Sequence, residues 1–224
     1  MTVKAVLFDL DETILDRTAS LKAFLAWQVN GMLSSSICDK DAFCARFIEL
    51  DDAGRVWKDV VYKQLVHEFV IKDWSAQELL QSYELVFCGF CVAKQNVIEA
   101  LHSLNQLGLK IGLISNGKSP FQERNFRALG VSHLFDVAIV SEAVGLRKPD
   151  KRIFELACEQ LNINPEECIF VGDNPVADIK GARDSGMNTV FVPGSVWSTC
   201  EEADAVCINF ANLMEIVESL SLSS

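Results

Sequence analysis

The sequence is poor in basic charge. Lysine and arginine number 20 against 31 aspartates and glutamates, a formal net charge of −11. Nucleic acids and anionic membranes require a basic face, so neither is expected as a partner. A small anionic substrate stays compatible, because a metal and one lysine can invert the field inside a pocket. Long hydrophobic runs are also missing. The apolar stretches, such as Val137–Val140, are far below the ~20 residues that span a bilayer. No secretory pattern precedes the strand-like stretch Val3–Phe8, and a cytoplasmic location is expected. Patterned cysteine is lacking too. Cys88-Gly-Phe-Cys91 is the one C-x-x-C spacing, without a second ligand pair or a thioredoxin-like context. The eight cysteines therefore read as free thiols, mostly buried as small hydrophobes in a reducing compartment.

What is present suffices for a folded core. Half of the 224 residues are hydrophobic, 14 of them phenylalanine. Charged residues make up 23%, too few for a disordered acidic chain. The length suits one large domain or two small ones.

Periodicity divides the chain into three regions. A short strand, Val3–Phe8, comes first. A helical block of about residues 18–90 follows, with apolar positions at helical spacing. Its stripes are Leu21, Phe24, Leu25, Val29 and Met32, then Phe43, Phe47 and Ile48. A looser set is Val56, Val60, Leu65 and Phe69, and the last is Leu79, Leu80, Tyr83, Val86 and Phe87. Four such helices can cover one another as a bundle. From about Asn96 onward, strands and helices alternate. Strands are expected at 109–114, 137–140, 168–171 and 189–192, with an edge strand at 205–208. Helices are expected at 97–107, 150–161, 175–185 and 213–220. A further helix opens at Ser119-Pro120, with Ser119 as N-cap and Gln122 in capping-box register, and stops at Gly130. The short β-branched strands suit a doubly wound parallel sheet, an α/β class with its site at the carboxyl ends of the strands.

The polar residues gather at those ends. The first strand runs into Asp9-Leu10-Asp11-Glu12-Thr13, and the second into Ser115-Asn116-Gly117. Lys148-Pro149 lies just before a helix. The fourth strand ends Gly172-Asp173-Asn174, with Asp178 one turn on. Asp9 and Asp11, two apart on an extended chain, point to one side. Their repulsion calls for a proton, a metal or a lysine. An all-oxygen ligand set suits magnesium. A hard cation beside a nucleophilic carboxylate is a site for phosphoryl transfer, with Asp9 attacking in line and Lys148 neutralising charge. Asp11 can then protonate the leaving oxygen and later activate water. The Ser115 hydroxyl and the Asn116–Gly117 backbone can donate to phosphate oxygens. Each element alone is weak; their joint order at successive strand ends is specific.

Those four segments resemble the motifs of the haloacid dehalogenase superfamily, in its phosphatase branch, over nearly the whole chain. The resemblance implies a Rossmann-like core at 1–16 and 92–224 with an inserted helical cap at 17–91. It implies magnesium, held by Asp9, Asp173 and the Asp11 backbone carbonyl. Asp9 becomes the nucleophile and Asp11 the acid/base. Ser115, Asn116, Lys148 and Thr13 become phosphate-binding, and Asp178 metal ligand or support to the ligands. Glu12 stands where the family often has glycine. The expected substrate is a small phosphate ester, reached under a cap that hinges near 16–18 and 88–93. Sugar-phosphate mutases keep both aspartates and remain the alternative; dehalogenases and phosphonatases typically lack the second one. A non-catalytic protein would usually have a damaged motif. Arg46, Arg55 and Lys58 are expected on a solvated helix face. Oligomeric state leaves no mark in the sequence.

Overall fold

Six parallel strands pair in the order β3-β2-β1-β4-β5-β6. They are β1 (Ala5–Phe8), β2 (Lys110–Ser115), β3 (Val137–Val140), β4 (Cys168–Gly172), β5 (Asn188–Phe191) and β6 (Ala205–Val206). The structure, a computed structural model, describes residues 2–223. Every residue of β1 and of β4 is buried, as central strands covered on both faces require. The expected edge strand shrinks to two residues, and Ile208 is exposed.

The helices are α1 (Arg17–Asn30), α2 (Lys40–Asp51), α3 (Lys58–Glu68), α4 (Ala76–Val86), α5 (Val97–Gln106), α6 (Phe121–Ala128), α7 (Ser141–Val144), α8 (Lys151–Leu161), α9 (Gly181–Asp184) and α10 (Leu213–Ser223). A π-helical turn, Pro175–Lys180, leads into α9 where an unbroken helix was expected. The chain divides into two compact units, Met1–Asp16 with Val92–Ser224, and Arg17–Cys91.

In the α/β unit, one face of the sheet packs Ala5, Leu7, Ile114, Ile139 and Phe170 against Ile153, Phe154 and Ala157 of α8. Phe154 meets Phe170 edge-on at 5.1 Å. The chain winds from β1 outward to β2 and β3, then returns to the other side of β1 as β4. That reversal makes the β1/β4 boundary the switch point, where the loops after the two strands part and leave a crevice.

The helical unit is built around aromatic side chains. Phe24 meets Tyr83 at 5.3 Å, Phe47 meets Tyr62 at 5.4 Å, and Phe43 meets Phe69 at 5.2 Å. The buried Tyr62 hydroxyl donates to Gln28 Oε1, and Gln28 Nε2 donates to Ser82 Oγ, so this polar chain is satisfied within the core. Ser75 and Glu78 form a capping box that starts α4. Two stripes needed correcting. Ile48 and Val60 are exposed, and α3 buries Val61, Tyr62 and Leu65 instead. With Val60, Val61 and Tyr62 adjacent, the sequence permits either face, and packing chooses between them.

Of the three cations expected on a solvated face, only Lys58 departs from that expectation. Arg46 pairs with Glu49 and Glu68, and Arg55 with Asp52, near the surface. Lys58 is instead buried, paired with Asp51, which also accepts a two-pronged bond from Arg17 at 2.8 and 2.9 Å. The eight cysteines are free thiols.

Candidate active site

The strand ends bring Asp9, Lys148, Asp173 and Asp178 together. Asp9 follows β1 directly, and its N–H still donates to the Val171 carbonyl of β4 at 2.9 Å. The Lys148 ammonium lies 2.6 Å from Asp9 Oδ1, 2.7 Å from Asp178 Oδ1 and 2.7 Å from the Ile114 carbonyl. The ammonium donates to Asp9 and to the Ile114 carbonyl and pairs in charge with Asp178, which together set its position. Burial alone would discharge this lysine, but Asp178 and Asp9 outweigh that and raise its pKa above the ordinary value.

Carboxylate oxygens of Asp9, Asp173 and Asp178 lie within 4.8 Å of one another. Burial raises the pKa of Asp9, with Asp178 adding and Lys148 opposing, to about 7. Burial and the charges of Asp9 and Asp178 bring Asp173 to about 8. One lysine is thus too little positive charge for three clustered carboxylates. Their all-oxygen donor set suits a hard divalent cation.

Two glycines permit the close packing. A Cβ on Gly172 would lie 2.5 Å from both Cβ and Oδ2 of Asp178. A Cβ on Gly117 would lie 2.5 Å from Gln122 Cγ. Asn174 caps the π-helical turn by accepting from the Val176 and Ala177 N–H groups, and its own N–H donates to Asp178 Oδ2 at 3.0 Å.

After Asp11 the chain does not stay extended. It curls so that the N–H groups of Thr13, Ile14 and Leu15 converge on the Leu10 carbonyl. Glu12 takes the left-handed conformation at φ 59°, the reason glycine is suited to this position. Its carboxylate lies 3.4 Å from Lys94. Thr13 is fully buried, and its hydroxyl has no hydrogen-bond partner among the described residues. Asn116, whose backbone is expected on phosphate, bonds its side chain to the protein. Its amide donates to the Lys148 carbonyl and accepts from the Lys148 N–H, both at 3.0 Å. The Gly117 N–H, also expected on phosphate, donates to Ser141 Oγ.

Sequence reasoning missed Gln122 as a site residue. Pro120, not Ser119, occupies the cap position of α6, which moves the box register on to Glu123. Ser119 Oγ accordingly donates to Glu123 at 2.6 Å. Gln122 turns inward and donates to Asp11 Oδ2 at 2.6 Å and to Ser115 Oγ at 3.1 Å. The available signal was a long polar side chain seven residues after Ser115, on the first turn of the helix that follows the second strand.

A family profile described as haloacid dehalogenase-like hydrolase matches residues 6–192. The chain belongs to this family. A curated relative, the glyceraldehyde 3-phosphate phosphatase of Methanopyrus kandleri, is 38% identical over 197 residues, covering 85% of this chain and 84% of its own. The solved phosphatase of the family from Thermococcus onnurineus is 27% identical, covers 96% of this chain and 98% of its own, and superposes with a TM-score of 0.69. A Bacillus subtilis family member solved with magnesium is 21% identical over 97% of this chain and 100% of its own, with a TM-score of 0.79, a likeness of fold. This family member, with phosphatases as relatives, is a phosphoric monoester hydrolase.

Proposed function

We propose that the chain is a magnesium-dependent phosphohydrolase that acts on a small phosphorylated metabolite through a phosphoryl group carried on Asp9. The observation that carries this reading is the Lys148 ammonium clamped between Asp9 and Asp178, at 2.6 and 2.7 Å, beside Asp173. One oxygen of Asp9 is held by the lysine, which leaves the other to attack. Asp9, Asp173 and Asp178 are the side chains that would hold magnesium, which supplies charge neutralisation at the phosphoryl oxygens.

In the first step Asp9 bonds to phosphorus as the bond to the ester oxygen breaks. The released electron pair takes a proton from Asp11. In the second, Asp11 takes a proton from water as the water oxygen bonds to phosphorus, and Asp9 leaves as a carboxylate. Lys148 steadies Asp9 in both states, and Asn116 steadies the Lys148 backbone. The relative named for glyceraldehyde 3-phosphate supports a small soluble ester as the substrate class.

Asp9→Asn tests the reading. It removes the attacking charge while nearly preserving shape, and is expected to abolish magnesium-dependent hydrolysis of 4-nitrophenyl phosphate without changing the folded-state circular dichroism. Retained turnover would sink the mechanism.

A further inference from the structure

We infer that Gln122 is a positioning residue that holds Asp11 in place for proton transfer and orients the Ser115 hydroxyl. This rests on the phosphohydrolase reading above and adds a residue to it. Gln122 is 3% exposed although it lies on the first turn of α6, where solvent would satisfy its amide at no cost. Its Nε2 carries two hydrogens, and both are used: one on Asp11 Oδ2 at 2.6 Å, one on Ser115 Oγ at 3.1 Å. Its Oε1 accepts from Asn125 Nδ2 at 3.3 Å, and Asn125 is itself 1% exposed. That bond, one turn along the same helix, orients the amide with nitrogen toward the carboxylate. Gly117 completes the arrangement, because any Cβ there would displace the Gln122 side chain.

Two chemical consequences follow. A hydrogen bond to a carboxylate is among the stronger protein hydrogen bonds, so it holds Asp11 in one rotamer. The N–H faces Oδ2 whether Asp11 holds its proton or has given it up, so the carboxyl keeps its place through the transfer. The Asp11 O–H bond breaks as the new O–H bond forms on the leaving group, and the carboxylate so produced is already aligned to take a proton from water. Ser115 Oγ accepts from Gln122, which turns its own O–H away from Gln122, free to donate to a phosphoryl oxygen.

The test compares two esters of nearly equal shape in the magnesium-loaded full chain. Phenyl phosphate has a poor leaving group that needs the acid; 4-nitrophenyl phosphate has a good one that does not. Gln122→Met keeps the volume and removes the donor, and Gln122→Glu keeps the shape should the first variant unfold. A thermal melt checks folding of each. General acid catalysis contributes about 10²–10⁴-fold, so partial loss of alignment is expected to lower kcat/KM for phenyl phosphate roughly tenfold more than for 4-nitrophenyl phosphate. For the nitrophenyl ester, kcat and KM are expected to fall together, because only breakdown of the phosphoenzyme still needs Asp11. An equal loss on both esters, or no loss, would overturn the positioning role alone. If the wild type turns over neither ester, the phosphohydrolase reading falls and this inference with it.

Discussion

At the scale of single residues, the site depends on backbone that comes too close for a side chain. Gly172 shows this most directly, because an added Cβ would overlap Asp178 at 2.5 Å, near the root of that side chain where it cannot swing aside. Gly172→Ala is therefore expected to cost about 1–3 kcal/mol, the usual cost of overpacking a filled core. It should also displace Asp178 from Lys148. Urea unfolding measures the first effect, and weakened magnesium binding by calorimetry the second; an unchanged variant on both counts would contradict the close-approach argument. Single residues also show where sequence reading stops. Asp9 and Asp173 stood out because each sits at a strand end, and Lys148 because it lies with Pro149 just before a helix. The side-chain commitments of Asn116 and Gln122 did not, because a helix start one residue later sends the glutamine inward instead of back along the chain.

At the scale of elements, the helical unit carries an ionic cluster that its amphipathic pattern did not announce. Asp51 at the end of α2 is 1% exposed and accepts from Arg17 of α1 and from the Gly54 N–H, with Lys58 of α3 paired to it. Burial would raise the pKa of Asp51, but Arg17 and Lys58 together outweigh it and hold the carboxyl below its ordinary value. Removing one partner of a buried pair typically costs about 3–5 kcal/mol, and Asp51→Asn is expected to cost that much at neutral pH. The sign with pH follows from linkage. A carboxyl depressed in the folded state binds its proton more readily when unfolded, so its contribution is whole above the unfolded value of about 4. It is lost as pH falls through the lower folded value. The stability gap between the wild type and Asp51→Asn should accordingly narrow on acidification below about pH 4, as followed by urea unfolding. A gap that stays constant would mean that the charge on Asp51 contributes nothing. The apolar stripes were legible for α1 and α4, and in α2 for Phe43 and Phe47 but not for Ile48. They were not for α3, where Val60 and Val61 compete for one face.

At the scale of the whole molecule, net charge and site charge have the same sign. The chain carries −11, and its most crowded carboxylates sit at the switch point of the sheet. A cation that binds only the folded state stabilises it by about 2.7 kcal/mol at a hundred times its dissociation constant. Magnesium is expected to raise the thermal unfolding midpoint, and chelation to reverse the rise. Asp173→Ala should abolish the rise and, by removing one of three mutually repelling carboxylates, leave the metal-free protein no less stable. A magnesium-induced shift that survives in this variant would place the cation elsewhere. The sequence by itself determined the alternation of strands and helices, the parallel class of the sheet, the membership in a phosphotransfer family and the carboxylates at the strand ends. These are encoded locally, in hydrophobic period and in residue order along the chain. Only the tertiary structure decided which oxygen faces which nitrogen: Lys148 between Asp9 and Asp178, Asn116 on the Lys148 backbone, Gln122 between Asp11 and Ser115. Those contacts join segments up to 139 residues apart, so no local pattern records them. They arise where backbones pack closely enough to force buried polar groups to find partners.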